Sequence, residues 1–153
     1  MRNFSRIALL AVCIGVILAG AASAKDLVNA EDSGLGLQGY DPVAFFTVGE
    51  PTEGQESITA THRGATYRFA SAENQSMFEE DPDKYAPQFG GHCSYGASKG
   101  ALFPVEIQTW QIYDGRLMLN KNMDVRKLFD QDKDGTLADA DENWPGLVEK
   151  HGE

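Results

Sequence analysis

The sequence predicts a small single α+β domain built from two β-hairpins with short packing helices. Two pairs of strand-like segments, each pair joined by a two-residue link, indicate the hairpins. Segments with helix-start signals follow each pair, and local hairpins joined by short helices are typical of α+β proteins rather than of a parallel sheet. The chain of 153 residues, even without an N-terminal leader, is long enough for one domain with a modest core.

The first 24 residues are typical of a secretory signal peptide. A basic start with Arg2 and Arg6 precedes an apolar run over 7–20, and Ala22-Ser23-Ala24 supplies the small-x-small pattern that a signal peptidase needs. We therefore expect cleavage between Ala24 and Lys25 and a periplasmic or secreted protein. The alternative is an uncleaved membrane anchor, although the apolar run is shorter than the ~20 residues that span a bilayer.

Removal of this leader leaves a more acidic chain with one cysteine. Because Arg2 and Arg6 are lost, 11 of the 13 basic residues remain against all 23 acidic ones, and the formal net charge changes from −10 to −12. Such an acidic chain has no surface suited to nucleic acid or anionic lipid, so we expect no nucleic-acid partner and, after cleavage, no membrane partner. Cys13 lies in the leader, and Cys93 alone can form neither an internal disulfide framework nor a multi-cysteine zinc site.

The first half of the mature chain contains an arm, a hairpin and two capped helices. Residues 25–39 hold three glycines and few large apolar residues, which indicates an extended N-terminal arm ahead of a domain over 40–150. Asp41-Pro42 is typical of a helix N-cap followed by proline in the first turn. Alternation over 58–62 and 65–69 predicts the first hairpin around Arg63-Gly64. Ser71 is the predicted N-cap of a helix through Glu80, and Asp81-Pro82 ends that helix and begins a short turn.

The second half contains the other hairpin and two further helices. Segments 110–113 and 117–119 predict a hairpin across Asp114-Gly115, which suits a type I′ turn. Helices are expected over 123–129 and 137–150, the latter interrupted near Trp144-Pro145. Aromatic side chains at strand and helix spacing are expected to form the core, with an aromatic small-molecule pocket as the alternative. These are Tyr67, Phe69, Phe78, Tyr85, Phe89, Trp110 and Tyr113.

An ordered series of short motifs runs through the mature chain. It begins with Tyr40-Asp41-Pro42-Val43, Gly64-Ala65-Thr66-Tyr67-Arg68-Phe69-Ala70-Ser71, Phe78 and Asp81-Pro82-Asp83-Lys84-Tyr85, and this order resembles a YHS domain. The continuation Gly90-Gly91-His92-Cys93, Asp114-Gly115-Arg116-Leu117 and Asn143-Trp144-Pro145 is similar to the exported, single-domain branch of that family. The resemblance covers about residues 39–148. It implies a link to metal handling, because the family is associated mainly with proteins such as heavy-metal-transporting ATPases.

Three positions depart from the metal-handling members of that family. Those YHS domains place one cysteine after the Asp-Pro-Val segment and further cysteines near the Tyr-x-Phe-x-Ser segment. The resemblance puts Ala44, Ala70 and Asn74 at these positions. Alanine has no ligand atom and asparagine offers only a neutral oxygen, so the thiolate-rich site of those relatives is absent from this sequence.

Cys93 follows His92 in a glycine-flanked segment and is the leading candidate for chemistry. A thiolate beside an imidazole is a soft-metal ligand or an activated nucleophile, and copper(I) and zinc are the ions expected for it. His92 and His62 are the candidate supporting ligands, His92 because the adjacent glycines permit irregular backbone. Two other interpretations stay open, namely a thiol-dependent enzyme or redox protein that uses Cys93 and an inert buried cysteine.

The acidic segment 130–141 matches the first two-thirds of an EF-hand calcium loop. Gly135 stands at the position of the sharp turn, but Asp141 replaces the usual glutamate at position twelve, and Pro145 constrains the outgoing helix. The alternative to calcium is a solvated acidic turn between two helices. The candidate calcium ligands are Asp130, Asp132, Asp134, Thr136 and Asp141.

The chain contains no serine-histidine-aspartate order, phosphate-binding glycine loop or zinc-protease motif, which favours a binding protein over an enzyme. The sequence therefore predicts an exported small module that binds a metal ion or a small ligand, with a link to transition-metal handling through Cys93. The alternatives are a thiol-dependent protein at Cys93 and a structural calcium-binding protein through 130–141.

Overall fold

Two antiparallel two-stranded sheets and six α-helices form the described part of the chain, which confirms the predicted α+β fold. The computed structural model describes residues 25–152, so the predicted signal peptide lies outside the described residues. The strands are β1 Gln55–His62, β2 Ala65–Phe69, β3 Glu106–Tyr113 and β4 Arg116–Asn120. The helices are α1 Ala44–Thr47, α2 Ala72–Glu80, α3 Pro82–Tyr85, α4 Ser94–Ser98, α5 Met123–Gln131 and α6 Lys133–His151, with 3-10 turns at Leu37–Gly39 and Gln88–Gly91.

Both hairpins form where the sequence predicts them, each around a two-residue turn in the left-handed region. Arg63 and Gly64 have φ angles of 48° and 80°, and Asp114 and Gly115 have φ angles of 51° and 69°. Positive φ at both central residues is the mark of a type I′ turn, whose twist matches that of the flanking strands. The turns thus fix the register of both sheets, β1 with β2 and β3 with β4.

Side-chain caps begin five of the described α-helices, all except α1. The Ser71 hydroxyl accepts the Asn74 N–H at 3.1 Å and starts α2, and the Asp81 carboxylate accepts the Lys84 N–H at 3.3 Å and starts α3. The Ser71 cap is in the predicted place, and α3 is the short turn predicted to begin at Asp81-Pro82. Asn122 starts α5 in the same way. Each cap satisfies an N–H group that would otherwise have no partner at the helix start.

Helix α6 starts earlier than predicted and runs without a break, so the predicted interruption near Pro145 is wrong. Proline lacks the N–H of the helical ladder and costs roughly 3 kcal/mol in a helix interior. Packing against α4 offsets this cost, because the Asn143 side-chain amide donates to the Ala97 and Ser98 carbonyls at 3.3 and 3.0 Å. Within residues 25–152, no helix has the length and apolar character needed to cross a membrane.

Five of the seven aromatic side chains predicted for the core are buried. Two buried clusters make up the core, one between the first hairpin, α2 and the second sheet, and one between α4, α5 and α6. Tyr67, Phe69, Phe78, Tyr85 and Phe89 are buried, and Trp110 and Tyr113 pack against the clusters while partly exposed.

The N-terminal arm lies against the body of the protein. The Asn29 N–H donates to the Gly90 carbonyl at 2.8 Å, and the Gly36 N–H donates to the Thr66 carbonyl at 2.9 Å. At its start, the Lys25 ammonium donates to the Glu149 carbonyl at 2.8 Å. The arm therefore connects the first hairpin, the 3-10 turn Gln88–Gly91 and the end of α6, and it borders the space between them.

Candidate functional site

The Cys93 thiol lies in the interior at the N-cap of α4, where only 1% of the residue is exposed. Its Sγ accepts the N–H groups of Gly96 and Lys121, both at 3.3 Å, and lies 3.6 Å from Asn120 Oδ1. Burial raises the pKa of this thiol, and these N–H groups and the Lys121 charge oppose the rise only in part. An enclosed, protonated thiol is a poor nucleophile and a poor metal ligand.

The two histidines proposed to support Cys93 have other partners. His92 Nδ1 lies 3.1 Å from the Phe89 carbonyl oxygen. Burial lowers the pKa of His92, and the Phe89 carbonyl opposes this in part, so the imidazole is neutral at pH 7. His62 Nε2 lies 3.1 Å from Asp83 Oδ1. The recorded contacts of Cys93 include neither imidazole.

The acidic segment does not adopt the predicted calcium-loop conformation, because Asp134, Gly135 and Thr136 are part of helix α6. Asp132 is the N-cap of α6, and its Oδ1 accepts the Gly135 N–H at 2.9 Å. A Cβ at residue 135 would clash with the Asp132 carboxylate, which accounts for glycine at this position without a calcium-binding turn.

The other carboxylates predicted as calcium ligands are paired with protein groups. Asp130 lies beside Arg126 and Lys133, Asp134 accepts the Tyr113 hydroxyl, and Asp141 pairs with Arg116. In the part of the chain that the structure describes, no group of three or more His, Cys, Asp or Glu side chains is arranged to hold a metal ion. Calcium binding at 130–141 and copper or zinc binding at Cys93 stay predictions.

Ala44, Ala70 and Asn74 meet around one buried carboxylate. Asp41 is fully buried, and its Oδ1 accepts the Ala44 N–H at 3.3 Å. Its Oδ2 accepts the Ala70 N–H at 2.8 Å and the Asn74 side-chain amide at 2.6 Å. Asp41 also accepts the Val43 N–H at 2.8 Å, so it holds the turn that leads into α1, whose N-cap is Val43 and not the predicted Asp41. Both oxygens of the Asp41 carboxylate are therefore occupied by hydrogen bonds from the protein.

A cleft of about 290 Å³ lies where the arm, both hairpins, α3 and α6 meet. This volume is near the lower end of the range for small-molecule sites. The polar side chains of the lining come from every one of these elements, and the aromatic ones come from β2, the 3-10 turn and α6. The polar and aromatic residues of the lining are Lys25, Asp26, His62, Arg63, Tyr67, Asp83, Gln88, Phe89, Arg116, Asp141 and Trp144.

Two arginines in the cleft differ in the hydrogen bonds that they make. Arg116 uses all three nitrogens, since Nε donates to Gln88 Oε1 at 2.9 Å and the two Nη atoms donate to Asp141 at 2.9 and 2.7 Å. Arg63 donates, among residues 25–152, only through Nη2 to Asp83 Oδ1 at 2.9 Å. A guanidinium has five N–H donors, so most of those on Arg63 are available to a ligand.

Arg63 also occupies an unusual position in its turn. The first residue of a type I′ turn has positive φ and is commonly Asn, Asp or Gly, as Asp114 is in the other hairpin. Phe89, which lines the same cleft, has a φ of 53°. Bulky residues in the left-handed region are uncommon and cluster at ligand sites. An Arg-Gly turn is thus the signal by which sequence reasoning could have found this site.

Aromatic rings supply the apolar part of the cleft. The Trp144 ring meets Phe89 edge to face with centroids 5.6 Å apart, and the Arg116 guanidinium lies 5.5 Å from the Phe89 centroid. Tyr67 is 2% exposed and lines the cleft. Burial raises the pKa of Tyr67 to about 12, while the Arg63 charge lowers it in part, so the hydroxyl is a proton donor at neutral pH.

The cleft brings together His62 and Asp141, which the sequence assigned to two different metal sites. Cys93, His92, Asp130, Asp132, Asp134 and Thr136 are not among the residues that line it. Sequence reasoning placed Arg63 and Arg116 in a turn and a motif but in no site, and it took Tyr67 as a core residue with an aromatic pocket as the alternative. With a guanidinium that keeps unused donors beside its bond to Asp83, a phenol and two aromatic walls, the cleft is equipped to bind a small molecule with an acidic group.

No protein-family model matches this chain, and comparisons with curated proteins and with solved structures find no match.

Proposed function

We propose that this protein is an exported YHS-type binding module that holds a small organic acid in the cleft. The observation that carries the proposal is the Arg63 guanidinium, which lines the cleft with most of its donors unused by residues 25–152. The planar fork of a guanidinium matches a carboxylate or a phosphate. The ligand is a small molecule with such a group and an apolar part that fits against Phe89 and Trp144.

The distribution of charge supports an acidic ligand. The chain has a net charge of −10, which repels anions from most of its surface. In the cleft the formal charges cancel, because three basic and three acidic side chains line it. These are Lys25, Arg63, Arg116, Asp26, Asp83 and Asp141. An anion therefore reaches the Arg63 guanidinium without the repulsion that it meets elsewhere.

The surroundings of Asp41 support the YHS-type assignment. The family resemblance implies that Ala44, Ala70 and Asn74 are neighbours in space, as ligands of one site must be, and all three hydrogen-bond to Asp41. In this chain the same positions hold a carboxylate in place of thiolates. This favours ligand binding in the cleft over metal handling, and the enclosed thiol of Cys93 is a weaker basis for metal or redox chemistry.

A thermal-shift series with three phenyl probes of different charge tests the proposal. Benzoate, benzyl alcohol and benzylamine share an apolar ring and differ in the group attached to it. We expect benzoate to raise the Tm of the purified protein, because a ligand that binds only the native state stabilises it. We expect the alcohol and the amine to leave the Tm unchanged.

Arg63→Gln and Arg68→Gln are the matched variants for this series. Each removes one guanidinium from the first hairpin, but Arg68 pairs with Glu56 and is not among the residues that line the cleft. We expect the shift with benzoate to disappear in Arg63→Gln and to persist in Arg68→Gln. A shift with benzylamine alone, or equal shifts with benzoate in the two variants, would contradict the proposal.

A further inference from the structure

We infer that Tyr67 is a specificity-determining residue of the cleft, whose hydroxyl donates to the acid oxygen of the ligand beside the Arg63 guanidinium. This inference rests on the proposed function. It also orients the ligand, with the acid group at the first hairpin and the apolar part against Trp144.

The fold holds the Tyr67 ring in one place. Tyr67 is on the buried face of β2, and its ring lies 5.2 Å from that of Phe78. On another side the arm passes so close that a Cβ at Gly36 would lie 2.8 Å from Tyr67 Cε1. Glycine at residue 36 therefore lets the arm cover the ring. A hydroxyl on a ring fixed in this way is preorganised to recognise a ligand.

Tyr67 makes no side-chain hydrogen bond within residues 25–152, yet its hydroxyl is not among the buried polar atoms of that region that lack a partner. The residue as a whole is 2% exposed and lines the cleft, so the hydroxyl faces the cleft while the ring is buried. A tyrosine placed in this way has an apolar body and a polar end that can bond to another molecule. The hydroxyl is thus available to a ligand that carries an oxygen acceptor.

The neighbours of Tyr67 favour a negatively charged acceptor. Arg63 and Tyr67 belong to the same hairpin and line the same cleft. Asp83 is held by two partners, since its Oδ1 accepts from Arg63 and lies 3.1 Å from His62 Nε2. An acid oxygen at this end of the cleft would receive one hydrogen bond from the phenol and another from the guanidinium.

Calorimetric titration of benzoate into the purified wild-type protein and into Tyr67→Phe tests the inference. We expect the variant to bind benzoate about 10- to 100-fold more weakly, the loss typical of one hydrogen bond to a charged group. The Tm of the variant without benzoate should not fall, because the hydroxyl has no partner inside the described protein. Tyr113→Phe is the matched control, since its hydroxyl bonds to Asp134 away from the cleft, and it should bind benzoate as the wild type does.

A second measurement does not depend on the stability of a variant. With ¹³Cζ-labelled tyrosine, saturating benzoate should shift the Tyr67 signal of the wild-type protein and leave that of Tyr113 in place. Equal affinity of Tyr67→Phe and wild type, or an unmoved Tyr67 signal, would overturn the inference and leave the proposed function standing. Absence of benzoate binding to the wild type would overturn both.

Discussion

At the scale of single residues, the reactions open to Cys93 depend on the direction of its side chain. Its place next to His92 in the sequence suggested a thiolate–imidazole pair. In the structure the thiol points toward Asn120 and Lys121, whereas the His92 imidazole lies 6.0 Å from the Trp144 ring. Adjacency in sequence does not specify a shared direction, because successive side chains diverge in both helices and strands.

We expect iodoacetamide to leave Cys93 unmodified in the folded protein at neutral pH and to modify it fully after unfolding in guanidinium chloride. The physical reason is that the thiol is 1% exposed and burial raises its pKa, so little thiolate is present and reagent has no access. Mass spectrometry of the two samples measures the result. Rapid modification of the folded protein would contradict this account and favour the thiol-dependent enzyme.

At the scale of single elements, the capping and calcium-binding interpretations of the acidic segment differ in the role they give Asp132, at the junction of α5 and α6. Asp132 accepts the Gly135 N–H as the N-cap of α6. We expect Asp132→Ala to lower the free energy of unfolding by about 1 kcal/mol, the usual value of such a cap. Because the role is capping, the loss should be the same with and without millimolar calcium.

Chemical denaturation of wild type, Asp132→Ala and Asp139→Ala in both conditions measures this effect. Asp139 belongs to the same acidic segment and is exposed on α6, so its replacement is the control and should change little. A wild-type protein that calcium stabilises, with the gain lost in Asp132→Ala, would contradict the capping role and restore the calcium-site hypothesis.

The elements that depend on a turn or a cap within a short stretch of chain were predictable from the sequence. Both hairpins depend on two-residue turns, and α2 and α3 depend on the caps Ser71 and Asp81, so a short stretch of sequence contains the cause of each. The continuous α6 was not predictable, because the bonds from Asn143 to α4 that offset Pro145 join distant parts of the chain. The 3-10 turn Gln88–Gly91 and α4 were missed as well, since both are too short to show a helical period.

At the scale of the whole molecule, the candidate site depends on the complete fold. The cleft takes its lining from the arm, both hairpins, α3 and α6, and no single motif contains these parts. His62 and Asp141 attracted attention as metal ligands, yet their partners are Asp83 and Arg116 across the chain. The sequence therefore predicted residues of interest, but only the tertiary structure shows which of them share a site.

The cleft differs in charge from the rest of this acidic molecule. The net charge of −10 disfavours anions over most of the surface, whereas the cleft places basic groups beside acidic ones. A site for an organic acid on such a protein must be local. The free donors of Arg63 and the phenol of Tyr67 meet that requirement at one end of the cleft.

The most direct test of this account is an NMR titration of the ¹⁵N-labelled purified protein with benzoate. The account predicts that the largest shifts fall on residues that line the cleft, including the amides of Arg63 and Tyr67 and the Trp144 indole. Shifts centred on Cys93 and Lys121, or no shifts at concentrations that saturate small-molecule sites, would contradict it.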